Sequence, residues 1–129
     1  MPLGSDPEAD LVLASYAAFA RGDIEAVAPL TEWTEWFEPE EFLMGGRRVG
    51  RAAVTEYLHA SRAAWRELTS TPTAHRVGEH IVVVHAVSGT LPDGSKAEAT
   101  VADVYTIRDG AVVSMKATAD IEAALRGEP

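Results

Sequence analysis

The chain has 129 residues, and its 11 Lys and Arg against 20 Asp and Glu give a net charge of −9. Nucleic acids and anionic membranes are bound through clustered cations, so this balance argues against both as partners. The absence of Cys excludes disulfides, thiolate zinc sites and a cysteine nucleophile. No apolar run approaches the roughly 18 residues of a membrane span. We expect one soluble, cytoplasmic domain over residues 1–129, with an ordered core at about 6–126.

Helix signals dominate the start of the chain. Asp6 and Pro7 form an N-cap and first-turn pair, and apolar residues follow at helical spacing until Gly22. Asp23 then precedes a second, short helix over Ile24–Ala28. Residues 1–5 carry no such signal and are predicted to be a loose tail.

The next segment changes from strand to helix spacing. Bulky and polar residues alternate over Glu32–Glu38, which predicts a strand that ends before Pro39. Gly45 and Gly46 predict a turn, and Gly50 introduces a third helix with apolar residues at helical spacing.

Strands dominate the second half of the chain, after Pro72. Three are predicted: Ile81–Val87, Lys96–Ile107 and Ala111–Ala119. The first is β-branched and almost continuously apolar, as expected of a central strand covered on both faces. The pair Asp109 and Gly110 predicts a tight hairpin, and a short helix follows from Asp120 to about Arg126.

Helices that precede a meander of long antiparallel strands indicate an α+β domain with its helices on one side of the sheet. A sheet that curls around a helix creates a concave, mainly apolar cavity, and small ligands usually bind in such cavities. We therefore expect a small apolar molecule as the partner.

The same order resembles the cone-shaped, cystatin-like fold of nuclear transport factor 2-like proteins, ketosteroid isomerase and SnoaL-like polyketide cyclases. The segments that carry the resemblance are Tyr16–Asp23, Gly50–Val54, Asp103–Gly110 and Gly110–Ala117. The resemblance covers about residues 9 to 126. It implies a curved antiparallel sheet wrapped around the N-terminal helices, a cofactor-independent enzyme and a homodimer.

The resemblance assigns two acids to catalysis. In ketosteroid isomerase the general base is an Asp followed by Pro, and Glu38 with Pro39 holds the matching position here. Trp36 shares the face of Glu38 by strand alternation, and a carboxylate against an indole is poorly solvated, which raises its pKa. Asp103 matches the aspartic acid that stays protonated and donates a hydrogen bond to the substrate oxyanion. Together these acids suit proton abstraction next to a carbonyl.

A tyrosine on the first helix completes the site of the isomerase. Its position corresponds to Ser15, and Tyr16 lies one residue further on, so Tyr16 is the candidate second donor and Tyr57 or Tyr105 are possible substitutes. Strand alternation and the resemblance assign the substrate-binding wall to ten residues: Ser15, Phe19, Trp36, Tyr57, Val84, Ala86, Val101, Tyr105, Met115 and Ala117.

Each acid also has a purely structural interpretation. Glu38 can be a solvated acid in an acidic run, and Asp103 can pair with a basic neighbour. Asp120 corresponds to a catalytic Asp of SnoaL-like cyclases, but it also stands where it can cap the terminal helix.

Metal and nucleotide sites are not expected. His75, His80 and His85 are five residues apart, which alternates their faces on a strand, and we interpret them as surface or edge residues. No Gly-rich phosphate loop follows a strand.

Two functions therefore remain open from the sequence. The first is an isomerase or polyketide cyclase that moves a proton in an apolar carbonyl compound. The second is a non-catalytic hydrophobic-ligand-binding or dimerisation domain of the same fold.

Overall fold

The computed structural model describes residues 6–27, 29–40 and 44–128, so the predicted tail at residues 1–5 and the predicted helix end at Ala28 lie outside the described residues. The elements are, in chain order, α1 (Pro7–Ala20), a 3₁₀ turn (Ile24–Ala26), β1 (Leu30–Glu38), β2 (Gly46–Val49), α2 (Arg51–Ala63), β3 (Glu67–Val77), β4 (His80–Thr90), β5 (Lys96–Arg108), β6 (Ala111–Thr118) and α3 (Ile121–Leu125).

Two local features that the sequence predicts are present in the structure, a helix cap and a hairpin turn. The Asp6 carboxylate accepts hydrogen bonds from the backbone N–H groups of Glu8 and Ala9, which caps α1. Asp109 and Gly110 both adopt positive φ, 52° and 76°, and join β5 to β6 in a two-residue hairpin turn.

The strands form one six-stranded sheet in the order β2-β1-β6-β5-β4-β3, and the α+β cone is confirmed. Neighbouring strands are antiparallel except β1 and β6, which pair in parallel, so the sheet is mixed rather than wholly antiparallel. A parallel pair requires a long crossover connection. Here that crossover contains α2 and the strands in between, and hydrophobic patterning does not reveal it.

Two strands of this sheet were not predicted. Gly46 begins β2 instead of belonging to a turn, and β3 contains Pro72 in its interior. Pro72 is tolerated because β3 is at the edge of the sheet, where one row of N–H groups has no ladder partner.

A register shift bends β1 between Leu30 and Glu35. Thr34 is fully buried at this bend, where its hydroxyl accepts from the N–H of Thr31 at 2.8 Å and donates to the carbonyl of Val112 at 2.6 Å. A register shift of this kind bends a strand and increases its local twist.

The main core lies between the concave face of the sheet and helices α1 and α2. A smaller cluster on the outer face joins Val82 of β4 and Ala102 of β5 to Ala124 of α3. Strand β4 is therefore covered on both faces at this point, as its continuous apolar run predicts.

Candidate active site

A cavity of about 400 Å³ lies inside the cone. Most of the side chains predicted for the site line it. Those from the helices are Ser15, Tyr16, Phe19 and Tyr57, and those from the strands are Trp36, Glu38, Val101, Asp103 and Tyr105. Other residues that the prediction lacks also line it, among them Leu58, Trp65 and His85, so the wall is largely apolar and aromatic.

Asp103 is a buried carboxyl at one end of a chain of hydroxyl groups. Tyr16 of α1 donates a short hydrogen bond to its Oδ2 atom, and Tyr105 of β5 donates to the Tyr16 hydroxyl at 2.9 Å. Burial raises the pKa of Asp103 to about 7; the charge of Glu38 acts in the same direction, and the Tyr16 hydrogen bond opposes it. Near neutral pH this carboxyl is therefore divided between its neutral and ionised forms.

Glu38, at the end of β1, is the second carboxyl of the cavity. Its Oε1 atom accepts hydrogen bonds from the Tyr57 hydroxyl at 2.9 Å and from the Trp36 indole N–H at 3.3 Å. Burial raises the pKa of Glu38, although these two hydrogen bonds and the charge of Arg48 pull it downward. The Arg48 guanidinium also lies 4.3 Å from the centre of the Tyr57 ring, which fixes the tyrosine beside the acid.

The two carboxyls thus belong to one low-dielectric site. Each is held by a tyrosine from a different helix, Tyr16 of α1 for Asp103 and Tyr57 of α2 for Glu38. Both pKa values are raised, which keeps Asp103 partly protonated and makes Glu38 a stronger base than a solvated carboxylate. Such a pair can remove a proton from a bound molecule and donate a hydrogen bond to it at the same time.

Val84 and Ala86 were predicted to line the cavity, and this is wrong by one residue. In the β4–β5 ladder, Val84 pairs with Ala102 and Ala86 pairs with Thr100, on the face opposite to Asp103. The continuous apolar run of β4 offers no alternation from which the phase of the strand can be read.

Met115 and Ala117 were predicted to bind substrate, but they are core residues, each 2% exposed, that do not belong to the described lining of the cavity. Met115 pairs with Trp36 on one side and Tyr105 on the other. The rings of these two neighbours, Trp36 and Tyr105, make an edge-to-face contact with 6.1 Å between their centroids. Ala117 pairs with Asp103 in the sheet.

His85 was interpreted as a surface or edge residue, and this is also wrong. Its side chain is only 12% exposed, lines the cavity, and lies with Nδ1 3.9 Å from Oδ2 of Asp103. Burial lowers its pKa to about 4, so the imidazole is neutral at pH 7 and the contact is not an ion pair there. The sequence carries no signal for this position, and only the register of the sheet reveals it: Val101 and His85 are direct partners, so both share the face of Asp103.

Asp120 acts as a helix cap. Its Oδ1 atom accepts from the N–H of Ala123 at 3.1 Å, the side chain is exposed, and it is not part of the described lining of the cavity. This geometry supports the capping interpretation over the catalytic one.

Within residues 6–27, 29–40 and 44–128, no group of three or more His, Asp or Glu side chains is placed to hold a metal ion. In the same described part of the chain, none of the helices has the length and apolarity needed to cross a bilayer.

The chain matches a known protein family. The family model of the SnoaL-like domain matches residues 12–115. The protein therefore belongs to the SnoaL-like domain family. No curated protein matches the sequence.

Solved structures share the fold over almost the whole chain. TerC, co-crystallised with polyporic acid, is 27% identical with a TM-score of 0.75, over 92% of this chain and 95% of that one. A nuclear transport factor 2-like protein from Burkholderia pseudomallei is 24% identical with a TM-score of 0.78, over 95% and 97%. A protein with a ketosteroid isomerase-like fold from Catenulispora acidiphila, in complex with trimethylamine, is 17% identical with a TM-score of 0.74, over 97% and 96%.

Proposed function

We propose that the protein is a cofactor-independent enzyme that moves a proton within an apolar carbonyl compound bound in the cavity, as an isomerase or a polyketide cyclase. The observation that carries the proposal is the presence of two carboxyls with raised pKa values, Glu38 and Asp103, in one apolar cavity. The cavity volume of about 400 Å³ suits a small organic ligand. TerC, a structural relative of the chain, was crystallised with polyporic acid, a small molecule.

In the proposed reaction, the Glu38 carboxylate removes a proton from the carbon next to the carbonyl group. The electron pair of that C–H bond moves onto the carbonyl oxygen, and the protonated Asp103 stabilises the resulting enolate with a hydrogen bond. An isomerase then returns the proton from Glu38 to a different carbon. In a cyclase the enolate carbon instead attacks a second carbonyl carbon of the same molecule, the π bond of that carbonyl breaks, and its oxygen takes the proton from Glu38.

Tyr16 is proposed as a positioning residue in this reaction. Its hydroxyl proton is engaged by Asp103, and Tyr105 donates to its oxygen, so its direct effect is to orient Asp103. The same two hydrogen bonds make an ordered donor chain behind the acid.

The test is deuterium incorporation next to the carbonyl of 2-tetralone, a bicyclic ketone, followed by NMR in D₂O. The protein should accelerate the exchange, and Glu38→Gln, which keeps an oxygen for Tyr57 and Trp36, should lose about 10²–10⁴-fold. Asp120→Asn is the control, because it removes a carboxylate outside the cavity and leaves a capping side chain. An unchanged exchange rate in Glu38→Gln would contradict the assignment of the base.

A non-catalytic domain that binds a hydrophobic ligand is the second candidate. It is favoured by the hydrogen bonds that the two carboxyls already accept without a ligand: Asp103 accepts one from Tyr16, and Glu38 accepts one from Tyr57. Saturable shifts of the Trp36 and Trp65 indole NMR signals by 2-tetralone, without any exchange, would support this candidate. A dimerisation domain whose cavity is filled by side chains fits poorly with an open volume of about 400 Å³.

A homodimer through the outer sheet face is proposed as the assembled form. The phase of β4 places Val84 and Ala86 on that face, where they pair with Ala102 and Thr100 of β5. Light scattering of the wild type and of Val84→Lys tests this directly. A dimer that becomes a monomer in the variant supports the proposal, and a wild-type monomer refutes it.

A further inference from the structure

His85 connects the cavity to the edge of the sheet. On one side its Nδ1 atom lies 3.9 Å from Oδ2 of Asp103, and on the other its Nε2 atom lies 2.6 Å from the hydroxyl oxygen of Ser70. Asp103 and His85 line the cavity, whereas the half-buried Ser70 of the edge strand β3 is not part of its described lining. The imidazole therefore separates the buried acid from a hydroxyl group outside the cavity.

We propose that Ser70, His85 and Asp103 form a proton relay, in which His85 exchanges the Asp103 proton with the outside of the cavity. When Asp103 is protonated and no substrate is bound, its single proton is donated to Nδ1 of His85, and the Nε2–H group donates to Ser70. On release, the Asp103 proton passes to Nδ1, the Nε2 proton passes to the Ser70 oxygen, and the original Ser70 hydroxyl proton leaves to water. The products are a carboxylate, a neutral imidazole of the other tautomer and a neutral serine.

The relay depends on a histidine that remains neutral. A neutral imidazole has one donor and one acceptor nitrogen, so it can pass a proton by exchanging its tautomers. Burial keeps the pKa of His85 at about 4, which supports this state around neutral pH. Because 3.9 Å exceeds a hydrogen-bond distance, the His85–Asp103 contact must shorten by about 1 Å during transfer, as contacts in ligand-free sites often do.

Several other titratable groups face Asp103 from the surrounding elements: Tyr16 from α1, Glu38 from β1, Tyr57 from α2 and Tyr105 from β5. The pKa values of Tyr16 and Tyr57 are raised, so both hydroxyl groups stay protonated and neutral throughout the Asp103 titration. Neither tyrosine can therefore accept the proton that Asp103 releases. Tyr16 also holds the His85 ring in an edge-to-face contact, with centroids 4.6 Å apart.

The use of the relay rests on the proposed function, because an acid that stabilises an enolate must hold its proton when substrate binds. Without a route past the substrate, a bound ligand would isolate Asp103 from water. The relay supplies that route through the wall of the cavity.

The experiment follows the two ring nitrogens of His85 by ¹⁵N NMR and the Asp103 carboxyl by ¹³C NMR from about pH 5 to about pH 9. The expected result is that the proton moves from Nε2 to Nδ1 with the same midpoint as the Asp103 titration, while the ring stays neutral. Ser70→Ala should reduce the amplitude of this tautomer change, because Nε2 then has no hydroxyl partner. Thr71→Ala is the matched control: it removes a hydroxyl from the next residue of β3, which points to the other face.

A tautomer that stays constant through the Asp103 titration would overturn the relay, as would a Ser70→Ala variant identical to the wild type. The measurement uses no substrate. A tautomer change without any deuterium exchange in 2-tetralone would therefore refute the proposed function and leave the relay intact, and the reverse result would refute the relay alone.

Discussion

The buried carboxyl of Asp103 makes a specific prediction about the pH dependence of stability. Its pKa is about 7 in the folded protein and 3.8 when solvated, so the folded state retains a proton that the unfolded state loses between these pH values. The stabilisation is complete below about pH 3.8 and is lost as the pH rises through about 7. A pKa difference of about 3 corresponds to about 4 kcal/mol.

The wild-type protein does not display this loss directly, because His85 opposes it. The pKa of His85 falls from 6.5 to about 4 on burial, so between these pH values the unfolded state binds a proton that the folded state does not. The free energy of unfolding therefore rises by about 3 kcal/mol as the pH increases from 4 to 6.5. We expect the two contributions to nearly cancel between about pH 4 and pH 6.5 in the wild type.

Asp103→Asn separates the two contributions. Asn has the same shape but cannot ionise, so the free energy of unfolding of the variant, relative to the wild type, should rise by about 4 kcal/mol between about pH 4 and pH 8. Urea unfolding at a series of pH values measures this difference. Asp120→Asn, an exposed cap, is the control and should remain parallel to the wild type. A difference between Asp103→Asn and wild type that does not change with pH would refute the buried-acid argument.

Three further predictions concern single contacts. Tyr16→Phe removes the hydrogen bond that lowers the pKa of Asp103, so that pKa should rise above about 7 in a ¹³C NMR titration, and an unchanged or lower value would contradict the bond. Thr34→Val removes the buried hydroxyl that bonds the N–H of Thr31 and the carbonyl of Val112 at the β1 bend. It should lower the free energy of unfolding measured in urea by about 1–3 kcal/mol, and a neutral result would show that the bend needs no hydroxyl. Gly45→Ala would place a Cβ atom in steric conflict with the carbonyl oxygen of Pro39, so it should unfold at a lower urea concentration than the wild type, and an unfolding midpoint equal to that of the wild type would contradict the clash.

The arrangement of the site explains how one cavity can hold two acids in different roles. Asp103 is enclosed and bonded to the Tyr16–Tyr105 pair, and burial dominates its pKa. Glu38 lies at the end of β1 and receives the Tyr57 and Trp36 hydrogen bonds together with the Arg48 charge, which counteract burial. The environments therefore separate the two pKa values, and this favours Asp103 as the acid and Glu38 as the base.

The sequence alone determined the parts of the protein that depend on local chemistry. The Asp6 and Pro7 start of α1 and the hairpin at Asp109 and Gly110 follow from capping and backbone preferences, and the structure contains both. The order of helices and strands indicated an α+β domain, and the family resemblance implied its cone shape. The positions of Glu38 and Asp103 followed from the family resemblance, and the structure brings both to the same cavity.

Only the tertiary structure decided the features that depend on which strands meet. The sequence does not show which residues of β4 face the cavity. Ile81, Val82 and Val83 are all buried, and a strand that is covered on both faces has no alternation of polar and apolar residues to distinguish the two faces. A one-residue error in the phase of β4 exchanged Val84 and Ala86 for His85 at the cavity wall. The parallel β1–β6 pair and the Tyr16–Asp103 bond join residues distant in the chain, so their contacts arise from packing that no local pattern records.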